Sequence, residues 1–350
     1  MKPRLHVLSN PFGITHSRYR MEPFNQAVLK FIHNMLPKGY DIVHYGHESS
    51  DVPCESVIAV TNTEMFPPEN HSLMPELPGI RQIWTQRVST ELGRRKRPGD
   101  QVLCFYGRAH EDAVRDHQDL IISEPSIGYG PAAVFSNYRA FTSYAQMHYF
   151  YGLHKKLLSP SWFDIVIPNA FTPSEFEYSQ EKDDYFVYLG RLNPDKGVDI
   201  AIQITRELGK RLVIASPGNL RNLGYSEIPK HVEPIGYVDV EQRKQVLSRA
   251  QCLMAPTHYI EPFGNIVVEA LMSGTPVIST DWGGFVDTVI NGVTGYRCKS
   301  YPAFISAAKN ISDIKSENCR KFAMDNFSDR VVHEKFDHWL TRLQHRNFYE

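Results

Sequence analysis

Glu261-Pro262-Phe263-Gly264-Asn265-Ile266-Val267-Val268-Glu269-Ala270 is the stretch on which the reading of this chain turns. Two carboxylates stand eight positions apart, divided by a Pro-Phe-Gly turn, and the second lies about one turn into a helix that starts near Asn265. The first N–H groups of a helix have no intrahelical acceptor and sit at the positive end of its dipole, so Gly264, Asn265 and Ile266 offer a place for a phosphate. Gly264 also lets a ligand approach the backbone closely. By spacing alone, Glu261 reads equally well as a loop carboxylate and Glu269 as a solvated helix residue.

Working outward, apolar runs flank this helix as strands from Cys252 to Ala255 and from Pro276 to Ser279. Upstream come a strand from Tyr185 to Leu189, a helix from Val198 to Leu208, a strand from Leu212 to Ala215 and a helix from Val240 to Ala250. The same alternation fills the first half of the chain. Leu5 to Ser9 is a strand, and a helix runs from about Asn25 to Leu36, stopped by Pro37 and Gly39. Tyr40 to Tyr45, Ser56 to Thr61, Val102 to Tyr106 and Leu120 to Ser123 read as short buried strands. Ile80, Ile83, Trp84, Val88 and Leu92 fall on one helical face, and residues 63–79 are Pro-rich and irregular. Strands alternating with helices imply parallel sheets covered on both faces. Two such domains are expected, with the polar stretch from Ser174 to Asp184 as linker. Ligands of open α/β sheets bind outside the carboxyl ends of the strands, which makes a cleft between the domains the default site. A last amphipathic helix carries Val331, Val332, Phe336, Trp339, Leu340 and Leu343 beyond the second domain.

Composition narrows the function. At roughly 150 residues per domain, 350 residues suit two domains. Lys and Arg number 38 against 39 Asp and Glu, so there is no global basic field for nucleic acid. The five cysteines are scattered without a CxxC pair and read as buried thiols of a reducing compartment. The apolar run after Met1 is too short for a secretory signal, and no run approaches the roughly 20 residues of a membrane span. A cytoplasmic protein is expected, with at most peripheral membrane contact. The basic run Arg94 to Arg97 reads as a solvated helix end or as a lure for an anionic surface.

A second motif is Tyr188-Leu189-Gly190-Arg191-Leu192-Asn193-Pro194-Asp195-Lys196-Gly197, where a buried strand ends at a Gly and two cations follow. Arg191 offers a fork and Lys196 a point charge to a diphosphate. Read alone, they serve equally as ordinary surface cations. No GxGxxG follows the first strand, which disfavours a dinucleotide-dependent dehydrogenase. Asp183-Asp184 and Asp239-Val240-Glu241 read as linker solvation and helix capping, so neither a metal site nor a cofactor is expected.

Taken together, the segments from Tyr185 to about Cys298 resemble the donor-binding domain of the retaining GT-B glycosyltransferases, family 4, also called group 1. The resemblance rests on the Gly190-Arg191 and Lys196-Gly197 segment, the pair Glu261 and Glu269, Ala270-Leu271-Met272-Ser273-Gly274-Thr275-Pro276-Val277-Ile278, Gly283-Gly284, and Asn291-Gly292-Val293-Thr294-Gly295-Tyr296. It implies an α/β fold of GT-B architecture, two Rossmann-like domains facing a cleft. Residues 1–178 would form the acceptor side and 179–326 the nucleotide-sugar side. The helix within 327–350 would cross back to the first domain. The implied activity is transfer of a sugar, with retention and without metal, from a UDP- or GDP-sugar to a hydroxyl of a glycan, glycolipid or small acceptor. Arg191 and Lys196 would hold the pyrophosphate, Glu269 the ribose and Glu261 the sugar hydroxyls. Backbone from Phe263 through Gly264, Asn265 and Ile266 would support the sugar and distal phosphate, and Tyr237 and Val238 the base. The loop Ser216-Pro217-Gly218-Asn219 departs from the family's Gly-rich turn and is given no contact. In the divergent first domain, Gly13 would approach the diphosphate, with a plain turn as the alternative. His110 is the first candidate for the histidine near the reacting sugar and His148 the second, against a packing role for either. Glu124 and Tyr129 would border the acceptor. The catalytic set is then Glu261, His110, Lys196 and Arg191. Alternatives on this scaffold are a nucleotide-sugar epimerase or a sugar phosphorylase; from another class, a catalytically weak nucleotide-sugar-binding protein.

Overall fold

A computed structural model of the chain describes residues 2–19, 23–65, 78–154 and 160–346. Most of the Pro-rich stretch at 63–79 therefore lies outside the described residues. The chain divides into two compact units. Unit 1 comprises Met1–Thr142, Met147–Ala170 and Val332–Glu350; unit 2 comprises Ser143–Gln146 and Phe171–Val331.

Unit 1 is built from β1 (Arg4–Leu8), α1 (Pro23–Met35), β2 (Asp41–His47), β3 (Ser56–Thr61), α2 (Pro78–Arg95), β4 (Gln101–Cys104), α3 (Glu111–Val114), β5 (Ile121–Ile127), β6 (Tyr138–Phe141), α4 (Tyr144–Leu153, whose first turn counts with unit 2) and β7 (Ile165–Val166). Its sheet is parallel in the order β3-β2-β1-β4-β5-β6-β7. Alternate residues of β1 feed opposite faces, Leu5 and Val7 into one apolar cluster and Leu8 into another. β3 is the edge strand, and its first residues alternate in exposure instead of being buried throughout as the sequence suggested. On α2, Ile80, Trp84, Val88 and Leu92 are buried, but Ile83 points to solvent. The basic run at the end of α2 is neutralised locally: Arg94 and Arg95 pair with Glu91, Lys96 with Asp119, and Arg97 lies 3.9 Å from Asp41.

Unit 2 contains β8 (Phe186–Leu189), α5 (Val198–Glu207), β9 (Leu212–Ala215), β10 (Val232–Pro234), α6 (Val240–Arg249), β11 (Cys252–Ala255), α7 (Asn265–Met272), β12 (Val277–Thr280), α8 (Phe285–Thr288), β13 (Gly295–Cys298), α9 (Tyr301–Lys309), α10 (Ser316–Phe327) and the start of α11 (Asp329–Gln344). Its parallel sheet runs β10-β9-β8-β11-β12-β13. Consecutive strands step outward from β8 in one direction and then from β11 in the other. The point where the order reverses is β8/β11, as it is β1/β4 in unit 1.

The stretch read as a linker is part of unit 2. Phe171 N–H donates to Phe327 O and Asp329 N–H to Phe171 O, both at 2.9 Å, which anchors the entering chain to the leaving one. Lys182 Nζ donates to Ser248 O and Thr275 Oγ1. Most other polar residues of the stretch are exposed, so its composition reflects both solvation and attachment to the domain. The segment Val332–Glu350 returns to unit 1, where Val332, Phe336, Trp339, Leu340 and Leu343 of α11 share a cluster with Val28, Phe31 and Ile32 of α1. Trp339 Nε1 donates to Phe163 O and Gln101 Nε2 to Leu340 O. All five cysteines are buried free thiols. No helix among the described residues is long and apolar enough to cross a membrane.

Two buried imidazoles give unit 1 a pH dependence. Burial holds His44 and His110 down to about 3. An unfolded imidazole titrates near 6.5, so between these values the unfolded chain binds protons that the folded unit refuses. Stability is full above about pH 6.5 and is lost as the pH falls toward 3, by about 2 kcal/mol for each ring at pH 5. Urea unfolding followed by tryptophan fluorescence at pH 7.5 and 5 should show this drop. His44→Gln should shrink it by about 2 kcal/mol; an unchanged drop would exclude His44 as a source.

Candidate functional site in unit 2

The loops that leave β8 and β11 meet outside the carboxyl ends of these neighbouring strands, where open α/β sheets bind ligands. The first carries Arg191 and Lys196, the second Glu261 and the start of α7. Their approach is fixed by backbone. His258 N–H donates to Asp195 O at 2.8 Å. Gly197 has φ +69°, and a Cβ there would run into the Pro256 carbonyl. Only glycine fits both demands.

Lys196 Nζ donates to Glu261 Oε2 at 2.6 Å, with each side chain about 15% exposed. The Tyr259 hydroxyl donates to the same oxygen at 2.7 Å, and Lys196 Nζ lies 4.8 Å from the centre of the Tyr259 ring. Burial, then the Glu261 carboxylate, push the Tyr259 phenol well up, so it stays a donor; the Arg191 charge acts against this. Arg191 itself is exposed and has no ion pair among the described residues. Its carbonyl accepts from the Tyr188 hydroxyl at 3.0 Å, and the Ser216 hydroxyl donates to Gly190 O. The departing loop after β9 thus braces the Gly190 turn.

Below Glu261 the support is tight. Gly283 has φ +61°, and a Cβ there would stand 2.7 Å from Glu261 N and O; one on Gly284 would stand 2.6 Å from Phe263 Cα. Gly284 N–H donates to Glu261 O at 2.7 Å. The Phe263 side chain is buried, stacked on Phe171 at 6.3 Å and edge-on to Phe327 at 5.7 Å. Gly264, at φ +85°, caps α7 without a side-chain acceptor, and Asn265 and Ile266 open the helix. Trp282 Nε1 donates to Thr257 O and Tyr259 O. Further along α7, Glu269 lies 3.3 Å from Arg243 Nη1 of α6.

Tyr237 and Val238 follow β10 at the sheet edge, two strands from β8. Tyr237 is exposed, Val238 packs on the core, and no hydrogen bond or ion pair among the described residues joins them to the Lys196–Glu261 pair. Tyr259 and Arg243 are the site residues that sequence reasoning missed. Tyr259 stands two positions before Glu261 with no motif to mark it, and Arg243 is one cation of a polar helix. Asp239 caps α6 in a capping box with Gln242. Asp183 and Asp184 pair with Arg249 and Lys210.

In unit 1, Gly13, His110, Glu124 and Tyr129 each have close neighbours or hydrogen-bond partners within that unit. A Cβ on Gly13 would run into the Asn25 side-chain amide of α1, so a larger residue there would have to displace that amide. His110 is fully buried, 4.8 Å from the Trp84 ring in a stacked arrangement, with Nε2 at 3.0 Å from Ser9 O. The neutral ring therefore donates from Nε2 and holds the loop after β1. Glu124 is also buried, accepting from the Tyr129 hydroxyl and from Phe135 and Ser136 N–H at 2.6–2.9 Å. Burial raises its pKa against these donors. His148 is exposed on α4.

Residues 172–326 match the model of the family described as glycosyl transferases group 1. The glycogen synthase of Mycobacterium tuberculosis is 32% identical over 139 residues, which cover 36% of this chain and 33% of the synthase. The chain thus spans about a third of that relative's length. Sucrose-phosphate synthase from Thermosynechococcus elongatus superposes with a TM-score of 0.71 at 15% identity, covering 98% of this chain and 99% of that one. Anabaena HepE in complex with UDP and glucose superposes with a TM-score of 0.66 at 15% identity, covering 97% and 99%. At such identities the likeness is one of fold, and that fold is GT-B.

The Gly283 contact is testable by itself. Gly283→Ala should destabilise the chain by about 1–3 kcal/mol, because the methyl must displace Glu261 backbone at a left-handed φ. Denaturant unfolding measures this. An unchanged midpoint would mean that the Glu261 loop yields freely.

Proposed function

With residues 172–326 matching the model of the group 1 glycosyl transferases, we propose that the chain moves a sugar from a nucleotide-diphosphate sugar to an acceptor hydroxyl, with retained configuration and without a metal ion. The observation that carries this reading is the Lys196–Glu261 contact of 2.6 Å beside the uncapped start of α7. It joins a cation for a leaving diphosphate to a carboxylate for sugar hydroxyls in one cluster. UDP and glucose in the HepE complex support a donor of this class.

In this reading Arg191, which has no ion pair among the described residues, and Lys196 receive the diphosphate, and the N–H groups at the start of α7 face its distal phosphate. As the glycosidic bond breaks, negative charge grows on the phosphate oxygen. Fixed donors aimed at that charge lower the barrier without reorganisation. The acceptor hydroxyl attacks from the leaving-group side and passes its proton to the departing phosphate. Glu261 need not act as nucleophile. Its Oε2 is held by Lys196 and Tyr259, leaving Oε1 for a sugar hydroxyl. Glu269, 3.3 Å from Arg243, accepts from the ribose. The two cations take the place a divalent ion would fill. The buried His110 acts as a positioning residue for the loop after β1.

Two measurements test the proposal. UDP, GDP and ADP are titrated by calorimetry with and without EDTA, and one should bind selectively with an affinity that EDTA leaves unchanged. Loss of binding in EDTA would establish a metal-dependent site. Glu269→Ala should weaken that nucleotide 10- to 100-fold, about 1.4–2.7 kcal/mol. Lys196→Ala should lower turnover at least 100-fold, with a smaller change in nucleotide affinity. Wild-type turnover in Lys196→Ala would move the leaving-group site elsewhere.

A further inference from the structure

The strands of unit 2 begin beside a cavity of about 910 Å³ that the proposed function does not use. Lys182, Lys210, Gln251 and Pro276 on its wall precede β8, β9, β11 and β12, and the end of α9 and the start of α10 complete it. Arg191, Lys196 and Glu261 follow the opposite ends of β8 and β11, so the two places are separated by the length of the sheet.

Charge is unevenly spent here. The whole chain carries 38 basic and 39 acidic residues. The cavity wall carries four lysines (Lys182, Lys210, Lys309, Lys315) and one carboxylate, Glu317. Four less one leaves three positive charges, or two once Asp184, which pairs with Lys210 at 2.8 Å, is included. Lys309 and Lys315 are exposed and have no carboxylate partner among the described residues. Lys182 is the innermost. Its ammonium donates to Ser248 O and Thr275 Oγ1, both uncharged, and burial lowers it to about 8. Lys315 is the N-cap of the twelve-residue α10 and offers no side-chain acceptor. A cation at the positive end of a helix dipole is locally unfavourable, and an anion at the same place reverses the sign. Leu208, Ile311 and Ile314 supply apolar wall between these charges.

We infer that this cavity is a second ligand site that binds a small phosphate ester carried on an apolar body. A phosphate monoester brings about 1.5–2 negative charges and three acceptor oxygens, which suits several ammonium groups and the first N–H groups of α10. The leucine and isoleucines give the ester's ring or chain a surface to cover.

The probe is 1-naphthyl phosphate, titrated calorimetrically into the full chain, with inorganic phosphate and 1-naphthol as its separate halves. One molecule should bind per chain, at least tenfold more tightly than either half. The double variant Lys309→Glu/Lys315→Glu should bind at least tenfold more weakly without any fall in melting temperature. Ser312→Trp, at an exposed wall position, should cause the same loss with every charge in place. Lys196→Ala should bind like wild type, which separates this cavity from the proposed donor site whether or not that proposal holds. Absence of saturable binding overturns the inference. So does wild-type affinity in both cavity variants, or affinity lost in Lys196→Ala. Binding to phosphatidic acid vesicles with none to 1-naphthyl phosphate would make this a membrane contact and overturn the small-ligand site.

Discussion

The adjacency of β8 and β11 is the constraint from which the rest of unit 2 follows. Their parallel pairing, Cys252 with Phe186 and Leu253 with Val187, sends both chains out of the sheet at the same end. Two loops 65 residues apart in sequence are thereby brought within one hydrogen bond of each other at Lys196 and Glu261. A shift of one residue in that register would turn every side chain of the strand to the other face. It would also separate Asp195 O from His258 N. The ion pair is thus a product of strand order, held by backbone before any side chain contributes.

What surrounds the pair keeps it from relaxing. Glycines at 197, 283 and 284 permit backbone contacts that any side chain would block, and aromatic rings fill the space beneath the Glu261 turn. Positions with no side chain and positions with large ones cooperate here: the former bring the loops close, and the latter exclude water from underneath. The carboxylate held in this way has an ammonium and a hydroxyl matched to one of its oxygens. The cavity at the other end of the strands differs in this respect, since its lysines crowd together without a matching set of carboxylates.

Much of this was legible in the sequence. Buried parallel strands are continuous apolar runs, so Leu212–Ala215 and Cys252–Ala255 were placed to the residue. Motif order along unit 2 carried the family likeness and the fold. Short or polar strands were invisible. β6 hides Arg139 against the buried carboxylate of Asp164, β7 has two residues, and β10 and β13 lie at sheet edges. Helices α4, α9 and α10 were also missed, since their apolar residues did not stand out from the surrounding sequence. Burial of single polar side chains was equally hidden. Nothing adjacent in sequence says that His110 is enclosed by Trp84, or that Glu124 is saturated by backbone N–H groups. Arg243 and Tyr259 escaped for the converse reason: their partners are set by packing.

The hydrogen bonds that tie Phe171 to Phe327 and Asp329 have a consequence for the order in which the molecule is made. Unit 2 is an insertion whose two ends meet, and unit 1 is interrupted by it. A ribosome releases the strands of unit 1 first, then all of unit 2, and only afterwards the helix bearing Phe336, Trp339 and Leu343. Until that helix emerges, the apolar cluster that α1 and β1 share lacks Val332, Phe336, Trp339, Leu340 and Leu343. Unit 2 has every strand of its sheet before then. The half of the chain synthesised first is therefore the half completed last.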